Sequence, residues 1–430
     1  MVHCLTDPGA DASLDSEAVE YWSDGALVVD RGRVAAAGPA DDILANVGDQ
    51  TTVDHYPDAL IVPGLVDCHV HYPQTDIIGS FGTQLLDWLN TYTFPAEAAF
   101  ANQAIANETA RFFIDELLRN GTTTALVFAT VHPQSVNAIF EAAMARNMRL
   151  AAGKVLMDRH CPENLRDDPE SAYADSRALI ERWHGAGRLH YAITPRFAPT
   201  SSDAQLAAAG RLANEFPDVL VQTHLAENHD EIRWVKSLFP AADSYLDVYR
   251  RASLLRERSV FAHCLHLEDD DYHRLADAGG AIAFCPTSNL FLGSGLFDLA
   301  RAREHAIRVG LGTDIGGGTS FSMLRTCGEA YKVLQLRQQT LPSLRALYLA
   351  TLGGAEALYM DDKIGNFEVG KDADVIVLGS GDHRLLKRRL GVARDADERL
   401  FVQTVLGDER SVLATYVSGE PVSFETSTGD

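Results

Sequence analysis

Eight short apolar runs, separated by stretches of helical periodicity, constrain this chain more than any other feature. They are "LIVPGLVDCHVH", "GTTTALVFAT", "RLAAGKVLMD", "HYAITPRFAP", "DVLVQTHLAE", "SVFAHCLHL", "GAIAFCPTSN" and "RVGLGTDIGGG", and they fall between residues 60 and 318 at a mean spacing of about 35. A continuous apolar run of strand length belongs to a strand buried on both faces, and strands alternating with helices build a parallel sheet. Eight such units on a chain of 430 residues predict an α/β fold, a (β/α)8 barrel of the TIM type.

The two ends of the chain follow a different rule. "GALVVDRGRVAAAGP" predicts two short strands around a turn at Asp30–Gly32, and the stretch from "GNFEVGKDADVIVLG" to "SVLATYVSGEPV" again reads as Gly-punctuated strands. Residues 1–60 and 363–430 are therefore expected to form strands apart from a barrel spanning 61–362. No internal repeat or low-complexity tract is evident.

Composition narrows the chemistry. A formal charge of −23 without clustered Lys and Arg argues against nucleic acid. No run approaches the roughly 18 apolar residues of a membrane span. "MVHCLTDPGADASLD" lacks the basic start and apolar core of a signal peptide, so a cytoplasmic protein is expected. The six cysteines form no CxxC pair, which excludes a zinc-finger or thioredoxin-like site and predicts reduced thiols. Cys68 and Cys264 stand beside histidines and are expected to be small core residues.

In a barrel of this kind functional side chains project from the C-terminal ends of the strands. The polar residues of the runs stand there: His69 and His71, Arg196, His224 and Glu227, His263, and Asp314. Alternate residues of a strand share a face, so His69 and His71 can reach one point. A lone HxH is a weak signal; its place at the end of an apolar strand after "PGLVD" strengthens it. With a third nitrogen from His224 and an anionic oxygen from Asp314, such a set suits a divalent metal and leaves a coordination position for water. A metal there would make hydroxide available near neutral pH.

Glu227 lies three residues past His224, and no HExxH motif is present. Its natural role is a proton shuttle, against the plainer reading of a helix cap. His263 could be a ligand, a hydrogen-bond partner of the water or a core histidine; the second is expected. His266 is expected to be structural, His229 to lie on a solvated loop, and Asp76 to be a structural cap. The glycines of "GTDIGGGTS" form no P-loop and are read as close backbone packing around Asp314. Run four carries "TPRF" without a lysine, whereas two-metal relatives of such barrels bridge their ions with a modified lysine there. Lys154 stands on run three instead, so one metal is expected.

"PGLVDCHVH", "THLAE", "AHCLHL" and "LGTDIGGG" together resemble the amidohydrolase superfamily, and "GNFEVGKDADVIVL" looks like that family's closing β-sandwich segment, which implies a small β-sandwich built from residues 1–60 and 363–430. Within the superfamily, "HYPQTDIIGSFGTQLLDWLNTYTFPAE", "GKVLMDRHCPENL", "YAITPRFAPTSS" and "GTDIGGGTSFSML" are similar to the guanine deaminases, and the match runs from the N-terminal strands to about residue 376. The resemblance implies hydrolysis of guanine to xanthine and ammonia in purine catabolism or salvage. By matching motif, His69, His71, His224 and Asp314 would hold one metal, zinc with iron as the alternative. Glu227 would move a proton to a ring nitrogen while hydroxide attacks C2. His263 and Asp314 would orient the nucleophile, and Gln74, Arg196 and Phe197 would bind the base. A homodimer is implied by the same analogy.

Those roles make physical sense on their own. A flat heterocycle needs an apolar face, here Phe197, and a few fixed polar groups; Arg196 and Gln74 offer donors for the O6 and N7 edge. The segment Phe81 to Glu97 is expected to fold over the barrel mouth, with Trp88, Tyr92 and Phe94 serving mostly as core. His160–Cys161 departs from the expected residues after "MDR". The HxE and PCxxC motifs of the other zinc deaminase class are absent. The rivals are a deaminase of a pterin, 8-oxoguanine or another aminoheterocycle, a ring-amide hydrolase, and a non-catalytic relative of the barrel.

Overall fold

The computed structural model describes residues 1–48, 50–82 and 84–424. Eight parallel strands form the central sheet: β1 (Leu65–His71), β2 (Thr122–Phe128), β3 (Arg149–Gly153, extended by Val155–Leu156), β4 (Leu189–Pro195), β5 (Leu220–Leu225), β6 (Ser259–His263), β7 (Ala281–Phe284) and β8 (Arg308–Leu311). They pair in sequence order, each with the next. The first and last strands are drawn together beyond β8, where Asp314 N–H donates to the His69 carbonyl at 2.9 Å and His71 N–H to the Ile315 carbonyl at 3.1 Å. The barrel class expected from the eight runs is the observed one.

Each crossover is helical because its apolar residues recur at helical spacing. Gln103–Arg119 buries Ala106, Ala110, Phe113, Ile114, Leu117 and Leu118 on one face against the sheet. Its N-cap Asn102 accepts the Ala104 N–H, and Asp168, Ser202 and Asn228 cap later helices in the same way. Removing one large side chain from that face, as in Phe113→Ala, would cost about 3–5 kcal/mol in transfer and cavity energy.

Run one is not a single strand. Leu60–Pro63 pairs antiparallel with Val375–Leu378 in a four-stranded sheet with Val412–Val417 and Glu420–Pro421, and only after Gly64 does the chain enter the barrel. A Cβ at Gly64 would lie 2.1 Å from the Thr123 hydroxyl, so the crossing point demands a bare backbone. The hairpin Gly25–Asp30 and Arg33–Pro39 turns through Arg31 and Gly32, both at positive φ (48° and 78°). Met1, Val34, Phe367, Ala373 and Val375 form the core between hairpin and sheet.

Two features depart from the strand reading of the ends. Val2–Cys4 and Val19–Tyr21 form a further antiparallel pair. Residues Arg384–Leu390 and Ala396–Leu406 are helices, because Leu386, Leu390 and Val402 sit at helical spacing and pack on each other. The final six positions of the expected C-terminal segment, 425–430, lie outside the described residues. We propose domain limits at 60/61 and 362/363, the first close to the crossing at Gly64.

Candidate active site

The strand ends of β1, β5 and β6 and the turn after β8 meet at one mouth. His71 Nε2 lies 3.2 Å from both His69 Nε2 and His224 Nε2. Asp314 Oδ1 is 3.2 Å from His69 Nε2 and 3.4 Å from His71 Nε2. One atom from each of the four residues falls within 4.8 Å of all the others.

The donor chemistry of this cluster fits a divalent metal. His224 Nδ1 stands 2.7 Å from the Arg196 carbonyl, which accepts only an N–H, so Nε2 presents a lone pair. Burial, then the neighbouring imidazoles, holds His71 and His224 well below the usual histidine range, so both rings are neutral. Converging ring nitrogens at this spacing repel unless a cation lies among them. For Asp314 burial is the largest influence and favours the neutral acid. The His69, His263 and His71 rings overcome it and keep the carboxyl ionised, far below the ordinary carboxylate range.

Glu227 stands at the edge of this cluster. Its N–H and that of Asn228 are held by Glu231 Oε2 at 2.9 and 3.2 Å, and Tyr245 donates to Glu231 Oε1 at 2.7 Å. The Ser294 hydroxyl donates to Glu227 Oε1 at 3.0 Å, which turns Oε2 toward His263 Nε2, 3.4 Å away. Burial pushes the Glu227 carboxyl up to about 7, with His263 opposing and Asp314 reinforcing the shift. A carboxyl so placed gains and loses a proton near neutral pH, as a shuttle must.

His263 closes β6 at positive φ (72°), which turns its ring into the mouth. Its Nδ1 is 2.8 Å from Asn289 Oδ1, and its Nε2 is 3.8 Å from Asp314 Oδ2. Burial disfavours the imidazolium, yet Glu227 and Asp314 outweigh it and raise the ring's affinity for a proton. His263 Nε2 and His71 Nδ1 are buried and have no hydrogen-bond partner among the described residues. The open His263 Nε2 faces the cluster, where a ligand could meet it. Cys285 lies close to His263 and Asp314, but burial drives its thiol well up and it donates to the Ala283 carbonyl at 3.5 Å, so it stays a thiol.

A cavity opens over these groups, lined by His71, Gln74, Arg196, Phe197, His224, Glu227, His263 and Asp314 with Leu85, Trp88, Leu89 and Leu292. Every residue singled out for the base is thus on its wall. His69 lies behind, beside His71 and Asp314. The helical turns from Leu85 to Ala98 supply the apolar rim, with Trp88 and Phe94 buried. Thr83, within the expected lid segment, lies outside the described residues. His160 packs on Trp234 with centroids 5.2 Å apart, and Trp234 on Phe197 at 6.2 Å, so the unusual His160–Cys161 pair backs the aromatic wall.

Other expectations resolve as follows. Gly318 has the Thr313 carbonyl 1.7 Å from where a Cβ would stand, so those glycines do serve close packing around Asp314. Lys154 is fully buried on the β3 extension and paired with Asp167, away from the four-ligand cluster. His229 is exposed, but it begins the helix His229–Leu238 instead of lying on a loop, because Asn228 and Glu231 form a capping box there. Asp76 caps nothing among the described residues: it is exposed in the 3-10 turn Tyr72–Ile77, and Thr75 makes the local bond to the Tyr72 carbonyl at 2.7 Å.

Several contributors escape sequence reading. Phe128 packs against the His71 ring at 4.5 Å between centroids; its place at the end of an apolar run was the available signal. Glu97, Asn289, Ser294 and Glu231 each hold a site residue, but they come from loops and helix starts where polar residues are ordinary.

The family model for the amidohydrolase family matches residues 60–422. A guanine deaminase of Escherichia coli (strain K12) is 53% identical over 407 residues, covering 95% of this chain and 93% of that protein. A solved E. coli guanine deaminase superposes with a TM-score of 0.94 at 50% identity, covering 99% of this chain and 98% of that one. The guanine deaminase of C. acetobutylicum, solved with guanine bound in its active site, gives a TM-score of 0.88 at 30% identity, with 98% of each chain covered. The chain therefore belongs to the amidohydrolase family of hydrolytic enzymes, and within it to the branch that holds the guanine deaminases.

Proposed function

We propose that this chain hydrolyses guanine to xanthine and ammonia. The observation that carries the reading is the meeting, in one cavity, of the His69–His71–His224–Asp314 cluster, the carboxyl of Glu227 and the donor groups of Gln74 and Arg196. Supporting it is identity of about half the residues with a guanine deaminase over nearly the whole chain.

The four clustered side chains would hold one zinc ion, with iron as the alternative; when bound, such a cation polarises water and lowers its pKa toward neutrality. Glu227, its Oε1 tied to Ser294, accepts a proton at Oε2 and returns it to the purine. The first acceptor is a ring nitrogen next to C2, which gains electron density as the C2–O bond forms. A second proton, released by the new C2 hydroxyl as it becomes the 2-oxo group, passes by the same carboxylate to the 2-amino group, which leaves as ammonia when the C2–N bond breaks. His263, fixed by Asn289, donates from Nε2 toward the oxygen that becomes the xanthine 2-oxo group. Phe197 covers the base, while Gln74 and Arg196 take its O6 and N7 edge.

A homodimer acting in purine catabolism or salvage is what the resemblance implies. No helix among the described residues is long and apolar enough to cross a membrane. The direct test is to incubate the purified, metal-loaded protein with guanine and follow xanthine formation by absorbance. A panel including pterins and 8-oxoguanine, scored by ammonia release, separates the rivals. Guanine is expected to lead by at least about tenfold, and a pterin leading by that margin would overturn the assignment. Sedimentation of the same sample tests the dimer.

A further inference from the structure

Glu97 is wholly buried behind the cavity, at the close of the segment that folds over the mouth. Arg196 Nη1 donates to both of its oxygens, at 2.7 and 2.8 Å, and Gln74 Nε2 donates to Oε1 at 3.2 Å. Gln74 Oε1 in turn accepts the Gly316 N–H at 3.1 Å. A carboxylate accepts and cannot donate, while a backbone N–H donates and cannot accept. Turning the Gln74 amide over would set oxygen against carboxylate and N–H against N–H, so these two contacts leave it one orientation. Its second Nε2 hydrogen has no partner among the described residues. Arg196 likewise spends only Nη1 on protein groups among the described residues, and its guanidinium sits 5.5 Å from the centre of the Phe94 ring.

We propose that Glu97 is a specificity-determining positioning residue: it locks Gln74 and Arg196 into a wall that offers the substrate hydrogen-bond donors and no acceptor. This deepens the guanine reading and rests on it. A donor-only wall matches a purine edge carrying two acceptors, a 6-oxo oxygen and an unprotonated ring nitrogen at position 7. A 6-amino group would face donor against donor and leave buried N–H groups unpaired, which lowers kcat/KM by roughly tenfold to hundredfold for each unmet group. Glu97 itself touches no reacting atom; its effect passes through Gln74 and Arg196.

The test compares guanine with 2,6-diaminopurine, which carries the same 2-amino leaving group and differs at position 6, where an amino group replaces the oxo oxygen, and at N1, which there carries no proton. The unaltered protein is expected to prefer guanine by at least about hundredfold in kcat/KM. In Glu97→Gln one of the two contacts that orient the Gln74 amide no longer discriminates, so only the Gly316 N–H opposes a flip, and the charged anchor of Arg196 is lost. KM for guanine is expected to rise about tenfold or more, kcat to change less, and the preference to fall at least tenfold. Glu97→Asp keeps the anion and is expected to recover part of the preference. Metal content and unfolding temperature, measured alongside, separate this outcome from general damage, which would lower kcat and metal content together.

A folded, metal-loaded Glu97→Gln protein with the original KM and preference would overturn the proposal. If neither variant folds, the unaltered protein still decides: turnover of the two purines within about threefold would overturn it, and a hundredfold gap would support it. Failure of the unaltered protein to turn over guanine at all would instead sink the underlying assignment of function.

Discussion

The two ends of the barrel treat buried charge in opposite ways. At the foot, Arg149 meets Asp372 at 2.5 Å, Arg188 reaches both Asp372 (3.2 Å) and Asp374, and Arg33 lies 3.6 Å from Asp372. Opposite charges are in contact there, joining the barrel strands to the Asp372–Asp374 turn of the small sheet domain. Between foot and mouth the interior is filled by small apolar residues, Cys68, Ala151, Ala192, Ala262 and Ala283 among them. At the mouth, like groups are crowded instead: imidazole beside imidazole, and Glu227 in the company of Asp314. The foot is arranged for stability and the mouth for a divalent cation and a substrate. Strain of that kind is what a functional site stores and the rest of the fold sustains.

If the contrast is correct, Asp314→Ala should have the largest effect. It is expected to lose the metal and at least about 10⁴-fold in kcat, since it removes the only anion of the cluster. Metal analysis of the purified variant gives the first reading and turnover the second. Glu227→Gln should keep the metal and lose about 10³-fold in kcat, the size of a general acid–base contribution. Near-normal turnover in that variant would remove Glu227 from the chemistry.

At the foot the effects should appear in stability and leave turnover alone. Asp372→Ala strips buried Arg149 of its carboxylate and leaves Arg188 with Asp374 alone, and is expected to cost about 3 kcal/mol in chemical unfolding, with kcat/KM per metal-loaded molecule unchanged. A loss of activity without a loss of stability would erase the distinction between the two ends.

The smallest effect concerns His190, whose ring lies 3.0 Å from Arg149 Nη1. Burial first, then Arg149 and His184, pulls its pKa down to about 4, against about 6.5 for the unfolded chain. The unfolded chain therefore binds the proton first as pH falls. Stability from this group is complete above about 6.5 and declines toward pH 4, by about 2 kcal/mol after allowing for partial exposure. His190→Gln keeps an acceptor for Arg149 and should flatten that slope in urea titrations at stepped pH.

Legibility followed the same division. The eight apolar runs were readable because burial on both faces leaves an unbroken hydrophobic record, and the residues at their ends were readable because strand ends point at the mouth. His69, His71, His224, Glu227, His263 and Asp314 all belong to that class, and the structure brings them together. The helices Arg384–Leu390 and Ala396–Leu406 were missed because short amphipathic pieces between strands give few periods to count. His229 and Asp76 were misplaced for a related reason: a capping residue and a solvated one look alike until the turn around them is known.

What the sequence by itself determined is the repeating strand–helix unit and the chemical identity of the groups at each strand end. These depend on local spacing, which the chain carries in its own order. What only the tertiary structure decided is which atom of each group faces which. Gln74 is oriented by Glu97 and Gly316, His224 by the Arg196 carbonyl, and Glu227 by Ser294, 67 positions away. Hydrogen bonds are directional and join residues far apart in the chain, so no local pattern records them until the barrel closes.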